Sequence, residues 1–300
     1  MLEEKLHIPV MLREVIDYLA LAPGKTIVDA TAGTGGHSIE ILKRITPGGR
    51  LIGIDRDENS LAVCRQRLEG CGGNYELLQA NFADIDRVLE GLGIDRIDGI
   101  VFDLGISTFQ MRDGARGFSF QQEGPLDMRM DQSSYISAYD LVNNLDEREI
   151  SSMLWSFGQE RWHNRIARLV VQERKNHPIS TTGQLADLVV RAIPHRYRRS
   201  HYRIHPATRT FQAVRIAVNR ELEILESSVR KAVGILKSGA RICVISFHSL
   251  EDRVIKHTFR ALKSEGLIDI ITAKPMTPVA SEVAANPSSR SSKFRAAERI

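Results

Sequence analysis

The chain has 300 residues, 42% of them hydrophobic, and a formal charge of +4, which allows a large core in one or two domains. No stretch approaches the run of about 18 apolar residues that spans a bilayer, and residues 1–10 lack the basic start and apolar centre of a secretory signal, so a cytoplasmic protein without membrane contact is expected. Three scattered cysteines, Cys64, Cys71 and Cys243, have no Cys-x-x-Cys spacing, which argues against a disulfide framework or a thiolate zinc site.

In chain order, the first third alternates two patterns. Helical spacing of apolar residues at three and four covers Val10–Leu21, His37–Ile45, Ser60–Leu68 and Ala83–Leu92. Short apolar runs ending in an acid or a small residue predict strands at Thr26–Asp29, Leu51–Asp55, Tyr75–Ala80 and Gly99–Asp103. Strand and helix in alternation imply a parallel sheet with helices on both faces. From Ser107 to about Met130 the rhythm stops. Helical patterns alone follow, at Ala138–Asn144, Glu147–Phe157, Arg161–Lys175 and Thr182–Ile193, with Thr182 in the position of a cap. Alternation then resumes: a long helix from Ala207 to Leu236, a strand at Arg241–Phe247, a helix at Leu250–Glu265 and a strand at Leu267–Ala273. Beyond Pro275 the proline and serine content predicts an irregular tail. The expected fold is α/β, a doubly wound, mostly parallel, Rossmann-like sheet. Residues 1–107 and 208–300 form its domain, and 108–207 form an inserted all-helical one.

Residues 27–37, Ile-Val-Asp-Ala-Thr-Ala-Gly-Thr-Gly-Gly-His, place three glycines between a strand and a helix. Backbone can approach a nucleotide-like ligand closely there, although a plain tight turn would read the same way. One β-α-β unit later, Asp55 ends a strand where an acid can accept from both hydroxyls of a ribose. A nicotinamide site would usually add a third glycine at its own spacing, but position 38 is Ser; S-adenosylmethionine has no pyrophosphate and does without it. Asp29, His37 and Phe82 are placed to complete the cleft. The fourth strand ends at Asp103, where amino-methyltransferases hold their target amine, but the prolines usual after that position are absent here.

Between Leu188 and Arg220 there is no Asp or Glu, while Arg191, Arg196, Arg198, Arg199, Arg203, Arg209, Arg215 and Arg220 all occur, with Tyr197 and Tyr202 among them. A basic run interleaved with aromatics suits a polyanion with unpaired bases, that is, RNA; a merely solvated basic loop is the alternative. His195, His201 and His205 have no accompanying acid or thiolate, so no metal site is expected.

With these pieces placed, longer peptides resemble the bacterial RsmH family, formerly MraW, almost end to end. The resemblance is carried by His7-Ile8-Pro9-Val10-Met11-Leu12, Gly35-Gly36-His37-Ser38, Gly53-Ile54-Asp55-Arg56-Asp57, Asp103-Leu104-Gly105-Ile106-Ser107, Arg116-Gly117-Phe118-Ser119-Phe120, Pro125-Leu126-Asp127-Met128-Arg129-Met130, His205-Pro206-Ala207-Thr208-Arg209 and Phe247-His248-Ser249-Leu250-Glu251-Asp252. It implies an S-adenosylmethionine-dependent enzyme that methylates the N4 amine of a decoding-region cytidine in 16S ribosomal RNA of the small subunit. It also implies cofactor contacts at Gly35, Gly36, His37, Asp55, Phe82, Asp103 and Gln110. The chain departs from the family at Phe109, where a proline is usual, at Arg112, where an acid is usual, and at Ser288, where an arginine is usual.

Asp103 is the expected acceptor for the N4 hydrogens, with His248 and Ser249 meeting the base from the other side of the cleft, and Phe109, Phe118 or Phe120 holding it out of its stack. A DNA or protein methyltransferase, or a non-catalytic RNA-binding assembly factor, are the other classes open to such a sequence. Monomer and homodimer are equally compatible with it.

Overall fold

The computed structural model describes residues 9–194 and 205–300, in two compact units: Met1–Ser107 with Leu222–Ile300, and Thr108–Glu221. The first unit begins with α1 (Leu12–Tyr18), β1 (Thr26–Asp29), α2 (Gly36–Ile45), β2 (Arg50–Asp55), α3 (Glu58–Glu69), β3 (Asn74–Gln79), α4 (Ile85–Gly91) and β4 (Ile97–Asp103). The second carries α5 (Thr108–Arg112), α6 (Ala138–Asn144), α7 (Glu147–Gly158), α8 (His163–Glu173), α9 (Thr182–Ala192) and α10 (Thr208–Asn219). The chain re-enters the first through α11 (Glu221–Ile235) and adds β5 (Leu236–Ser246), α12 (Ser249–Ser264), β6 (Ile268–Ile270), α13 (Ala280–Ala285) and β7 (Lys293–Arg299). Among the described residues no helix is long and apolar enough to cross a membrane.

The seven strands lie in the order β3-β2-β1-β4-β5-β7-β6. The first five are parallel, and β7 runs antiparallel to both of its neighbours. A strand's side chains alternate between faces, so a sheet covered on both sides needs apolar residues at successive positions. Ile27, Leu51, Val101, Cys243 and Ile245 pack on one face with Val15, Ile41, Leu42, Leu61 and Leu68 of α1, α2 and α3. Their neighbours Val28, Ile52, Ile100, Phe102, Ile242 and Val244 pack on the other with Leu89, Val229, Val233, Ile255 and Phe259 of α4, α11 and α12. The strand order reverses between β1 and β4, and the crevice beyond their carboxyl ends is where such sheets bind ligands.

Several expectations need correction. The tail is not irregular: β7 is an interior strand between β5 and β6, with Phe294, Arg295, Ala296 and Ala297 buried. Its charges are compatible with burial because each has a partner. Arg295 Nε donates to Asp252 Oδ1 at 2.8 Å, Lys293 Nζ to Asp252 Oδ2 at 3.1 Å, and Arg241 Nε to Glu298 Oε2 at 2.8 Å. The long helix expected from Ala207 breaks at Arg220, whose φ of 52° is left-handed. The return into the first unit therefore falls at Glu221/Leu222 rather than at 207/208. Helix α10 packs against α7: a Cβ on Gly158 would lie 2.6 Å from the Arg209 carbonyl oxygen, so only glycine admits this approach.

The cap of α9 is Thr181, not Thr182: its Oγ1 accepts from Gln184 N while Gln184 reaches back, a reciprocal capping box. Buried Thr182 instead donates from Oγ1 to the Gln122 carbonyl at 3.1 Å. In the same unit, the peptide 125–130 is pinned by side chains. Arg116 Nη2 donates to the carbonyls of Arg129 and Met130, and Asn219 donates to the Met128 carbonyl and accepts from Met130 N, both at 2.8 Å.

Candidate active site

At the carboxyl edge of the sheet, the chain leaving β1 turns through Gly33 (φ 51°) and Gly35 (φ 84°) before α2 begins. Both angles are left-handed, the region a side chain resists. At Gly35 there is also no room: a Cβ would sit 2.8 Å from Cys64 Sγ. A Cβ on Gly36 would meet Pro9 at 3.1 Å. The turn is tied down by acids. Asp55 Oδ2 accepts from Gly33 N at 2.8 Å and its Oδ1 from Asp57 N at 2.9 Å. Asp29 Oδ2 accepts from Ser38 Oγ at 2.7 Å. Burial pushes the Asp29 carboxyl up to about 6, with the Ser38 and Thr31 hydrogen bonds pulling the other way. Burial also pushes Asp55 up to about 6, against the hydrogen bonds from Asp57 and Gly33.

Asp103 closes β4 beside this turn. Its backbone N donates to Thr31 Oγ1 at 2.6 Å. Its Oδ1 is buried with no hydrogen-bond partner among the described residues, and its Oδ2 lies 3.6 Å from Nδ1 of His37. Burial raises the Asp103 carboxyl well above the usual carboxylate range, and the acids Asp29 and Glu251 raise it further. His37 is buried, with Nε2 3.0 Å from the Val10 carbonyl. A carbonyl only accepts, so Nε2 carries the hydrogen and Nδ1 of the neutral ring is a bare acceptor. Burial lowers this imidazole to about 4, so the ring is neutral at physiological pH.

The structure thus brings Gly35, Gly36, His37, Asp55 and Asp103 to one edge, with Asp29. Phe82 stands after β3 in a short 3-10 turn, half-buried and edge-on to Phe102 at 5.6 Å. Gln110 belongs to α5 of the second unit. His248 has a structural task, capping α12: its Nδ1 accepts from Glu251 N at 3.3 Å, and Glu251 Oε2 accepts from Phe247 N at 2.8 Å and from His248 N at 3.3 Å. Ser249 is exposed in the first turn of that helix. Thr31 was missed by sequence reasoning, since a threonine in a turn gives no sign of the strand-end backbone it will hold.

Among the aromatics, Phe118 is core, and Phe120 stacks on His205 at 4.4 Å and meets Phe211 at 5.0 Å; Phe109 is 38% exposed. His195, Arg196, Tyr197, Arg198, Arg199, His201, Tyr202 and Arg203 lie outside the described residues. Other arginines of the basic run have partners within the fold. Arg191 pairs with Glu173 at 3.1 Å, Arg209 donates to the Gln159 carbonyl at 3.0 Å, and Arg215 grips Glu221 through two hydrogen bonds at 2.9 Å.

A doubly wound sheet with a left-handed glycine turn after β1, an acid at the end of β2 and a partnerless buried carboxyl oxygen at the end of β4 fits one ligand type well. It is a nucleoside-bearing methyl donor, and the class is the Rossmann-like methyltransferases. The chain belongs to the MraW methylase family, whose model matches residues 4–300, and its methyl donor is S-adenosylmethionine. It is 47% identical over 310 residues to the ribosomal RNA small subunit methyltransferase H of Geotalea uraniireducens, covering 98% of each chain. The protein of the same name from Trichlorobacter lovleyi is 46% identical, with full coverage of both chains, and that from Clostridioides difficile is 42% identical over 98% of this chain and 99% of the other.

Proposed function

We propose that the chain methylates the exocyclic N4 amine of a decoding-region cytidine in 16S ribosomal RNA of the small subunit, in the cytoplasm. The name shared by its full-length relatives supports the RNA class. The observation that carries the amine chemistry is Asp103: a buried carboxyl with a partnerless oxygen, at the strand end beside the cofactor turn. A buried acceptor left unsatisfied is costly, and a donor supplied by a ligand would relieve it.

Within the first unit, Gly35, Gly36, His37, Asp55, Phe82 and Asp103 would hold the donor, Asp55 as an acceptor for ribose hydroxyls; the resemblance adds Gln110, which belongs to the second unit. When bound, S-adenosylmethionine supplies an electrophilic methyl group on a positively charged sulfur. The N4 lone pair of cytosine is delocalised into the ring, so the amine is a weak nucleophile. Asp103 accepts one N4 hydrogen, turns the lone pair toward the methyl group and takes part in removing the proton; placement and proton acceptance together supply the acceleration. Residues 108–221 supply the RNA contacts, which makes affinity fall steeply with salt.

Incubation with methyl-labelled S-adenosylmethionine and separately purified small subunits, naked RNA, DNA and protein, followed by nucleoside mass spectrometry, tests this reading. The expected product is N4-methylcytidine in small-subunit RNA. Label in protein or DNA alone overturns it.

A further inference from the structure

Three placements around Asp103 bear on how its carboxyl is held. The His37 ring has its Nε2 hydrogen committed to the Val10 carbonyl, which leaves Nδ1 bare. That Nδ1 stands 3.6 Å from Asp103 Oδ2, outside hydrogen-bond range, but a small rotation of the carboxyl closes such a gap, and catalytic pairs are often long before substrate binds. The other charged groups acting on the carboxyl are acids, Asp29 at the end of β1 and Glu251 on α12, while on α2 it faces the neutral His37.

We propose that His37 is a positioning residue for Asp103: its Nδ1 holds the proton of the neutral carboxyl on Oδ2, so that Oδ1 is presented as a fixed acceptor for the target amine. This rests on Asp103 receiving the N4 amine. In the transfer step the N4 lone pair forms the new bond to the methyl carbon as the carbon–sulfur bond breaks, its electron pair staying on sulfur. One N4 proton passes to Asp103 Oδ1 while the Oδ2 proton passes to His37 Nδ1. The positive charge leaves sulfur and ends on the imidazole, and Asp103 stays neutral throughout. A buried imidazole is a poor base, but an N-alkylated cytosine cation is so strong an acid that His37 accepts the proton and later releases it to solvent.

Two substitutions separate this role from a merely structural one. His37→Gln keeps an N–H that can reach the Val10 carbonyl but has nothing at the Nδ1 position; His37→Asn places an amide oxygen near Nδ1 and loses the reach to Val10. At saturating S-adenosylmethionine the proposal expects kcat to fall on the order of 100-fold in His37→Gln, the scale of a lost proton-transfer partner, and to fall less in His37→Asn. Donor affinity is measured by calorimetry on the same variants, so that any change in binding at His37 is separated from the change in kcat. Unchanged kcat in His37→Gln, or a larger loss in His37→Asn than in His37→Gln, overturns the proposal. So does a loss carried wholly by donor affinity.

A readout independent of activity is the 15N spectrum of the histidine rings. His37 should show an unprotonated Nδ1 near neutral pH, and its signal should move in Asp103→Ala. A protonated Nδ1, or a signal indifferent to Asp103, contradicts the pairing. If the pairing is seen but N4-methylcytidine is not the product, the functional reading has failed and the pairing has not.

Discussion

Asp103 and Asp252 are both acids at the sheet, and the fold treats them in opposite ways. Asp252, at the start of α12, is largely buried, which alone would raise it, yet hydrogen bonds from Arg295 and Lys293 hold it below the usual carboxylate range. Asp103 is buried, is acted on by the acids Asp29 and Glu251, faces the neutral His37 imidazole, and is held well above that range. Removing a carboxylate from water costs several kcal/mol unless a cation compensates. The C-terminal strand compensates and becomes rigid structure; the carboxyl edge does not, and keeps a proton and a free acceptor where an amine is to be handled.

Breaking the compensated half should have the larger effect on stability. Asp252→Ala strands Arg295 without its partner beneath β7 and is expected to cost about 3–5 kcal/mol, read as a lower urea midpoint at unchanged m-value. Activity per folded molecule should persist. A loss below about 1 kcal/mol would mean that the ion pair does not hold β7.

The uncompensated half should announce itself through pH. Asp29 has an ordinary carboxyl value of 3.8 and is pushed up to about 6 in the fold. The folded state therefore binds this proton more tightly than the unfolded chain. The contribution is complete below about pH 3.8 and is lost as pH rises through about 6, a swing of up to roughly 3 kcal/mol. Asp29→Asn removes that dependence. Its stability relative to wild type should improve between pH 4 and pH 8 in chemical denaturation, and a constant difference across that range would contradict the shift.

A smaller effect is expected at the turn. Gly35→Ala meets a left-handed φ and the Cys64 thiol at once, so about 1–2 kcal/mol of stability should be lost together with donor affinity. Adding Cys64→Ala should recover only the part due to the clash. Full recovery would show that the backbone angle is not strained by a side chain.

The two halves also differed in how plainly the chain announces them. Strands β1 to β4 are apolar runs ending at Asp29, Asp55, Gln79 and Asp103, and a period of successive apolar residues suffices to find them. Strand β7, Lys-Phe-Arg-Ala-Ala-Glu-Arg, reads as surface because its justification lies elsewhere, in Asp252 and Arg241, and pairings across about 40 to 60 residues leave no local period. The break at Arg220 is hidden for a similar reason: nothing in a run of good helix formers marks one left-handed residue.

At the candidate site, residue types and positions were legible in the glycine turn, Asp55 and Asp103. What was not legible is their state. That His37 has one nitrogen committed to Val10 and one left over, and that Asp103 Oδ1 has no partner among the described residues, are facts of three-dimensional packing. The same limit applies to the basic run, where Arg215 looked available for a polyanion and is instead gripped by Glu221.

The most direct test of the uncompensated acid is single-turnover methylation of purified small subunits by Asp103→Ala at saturating S-adenosylmethionine, with donor binding and thermal unfolding measured on the same preparation. The expected rate of N4-methylcytidine formation is lower by about 100-fold to 10,000-fold, in a protein at least as stable as wild type. A rate within threefold of wild type would contradict it.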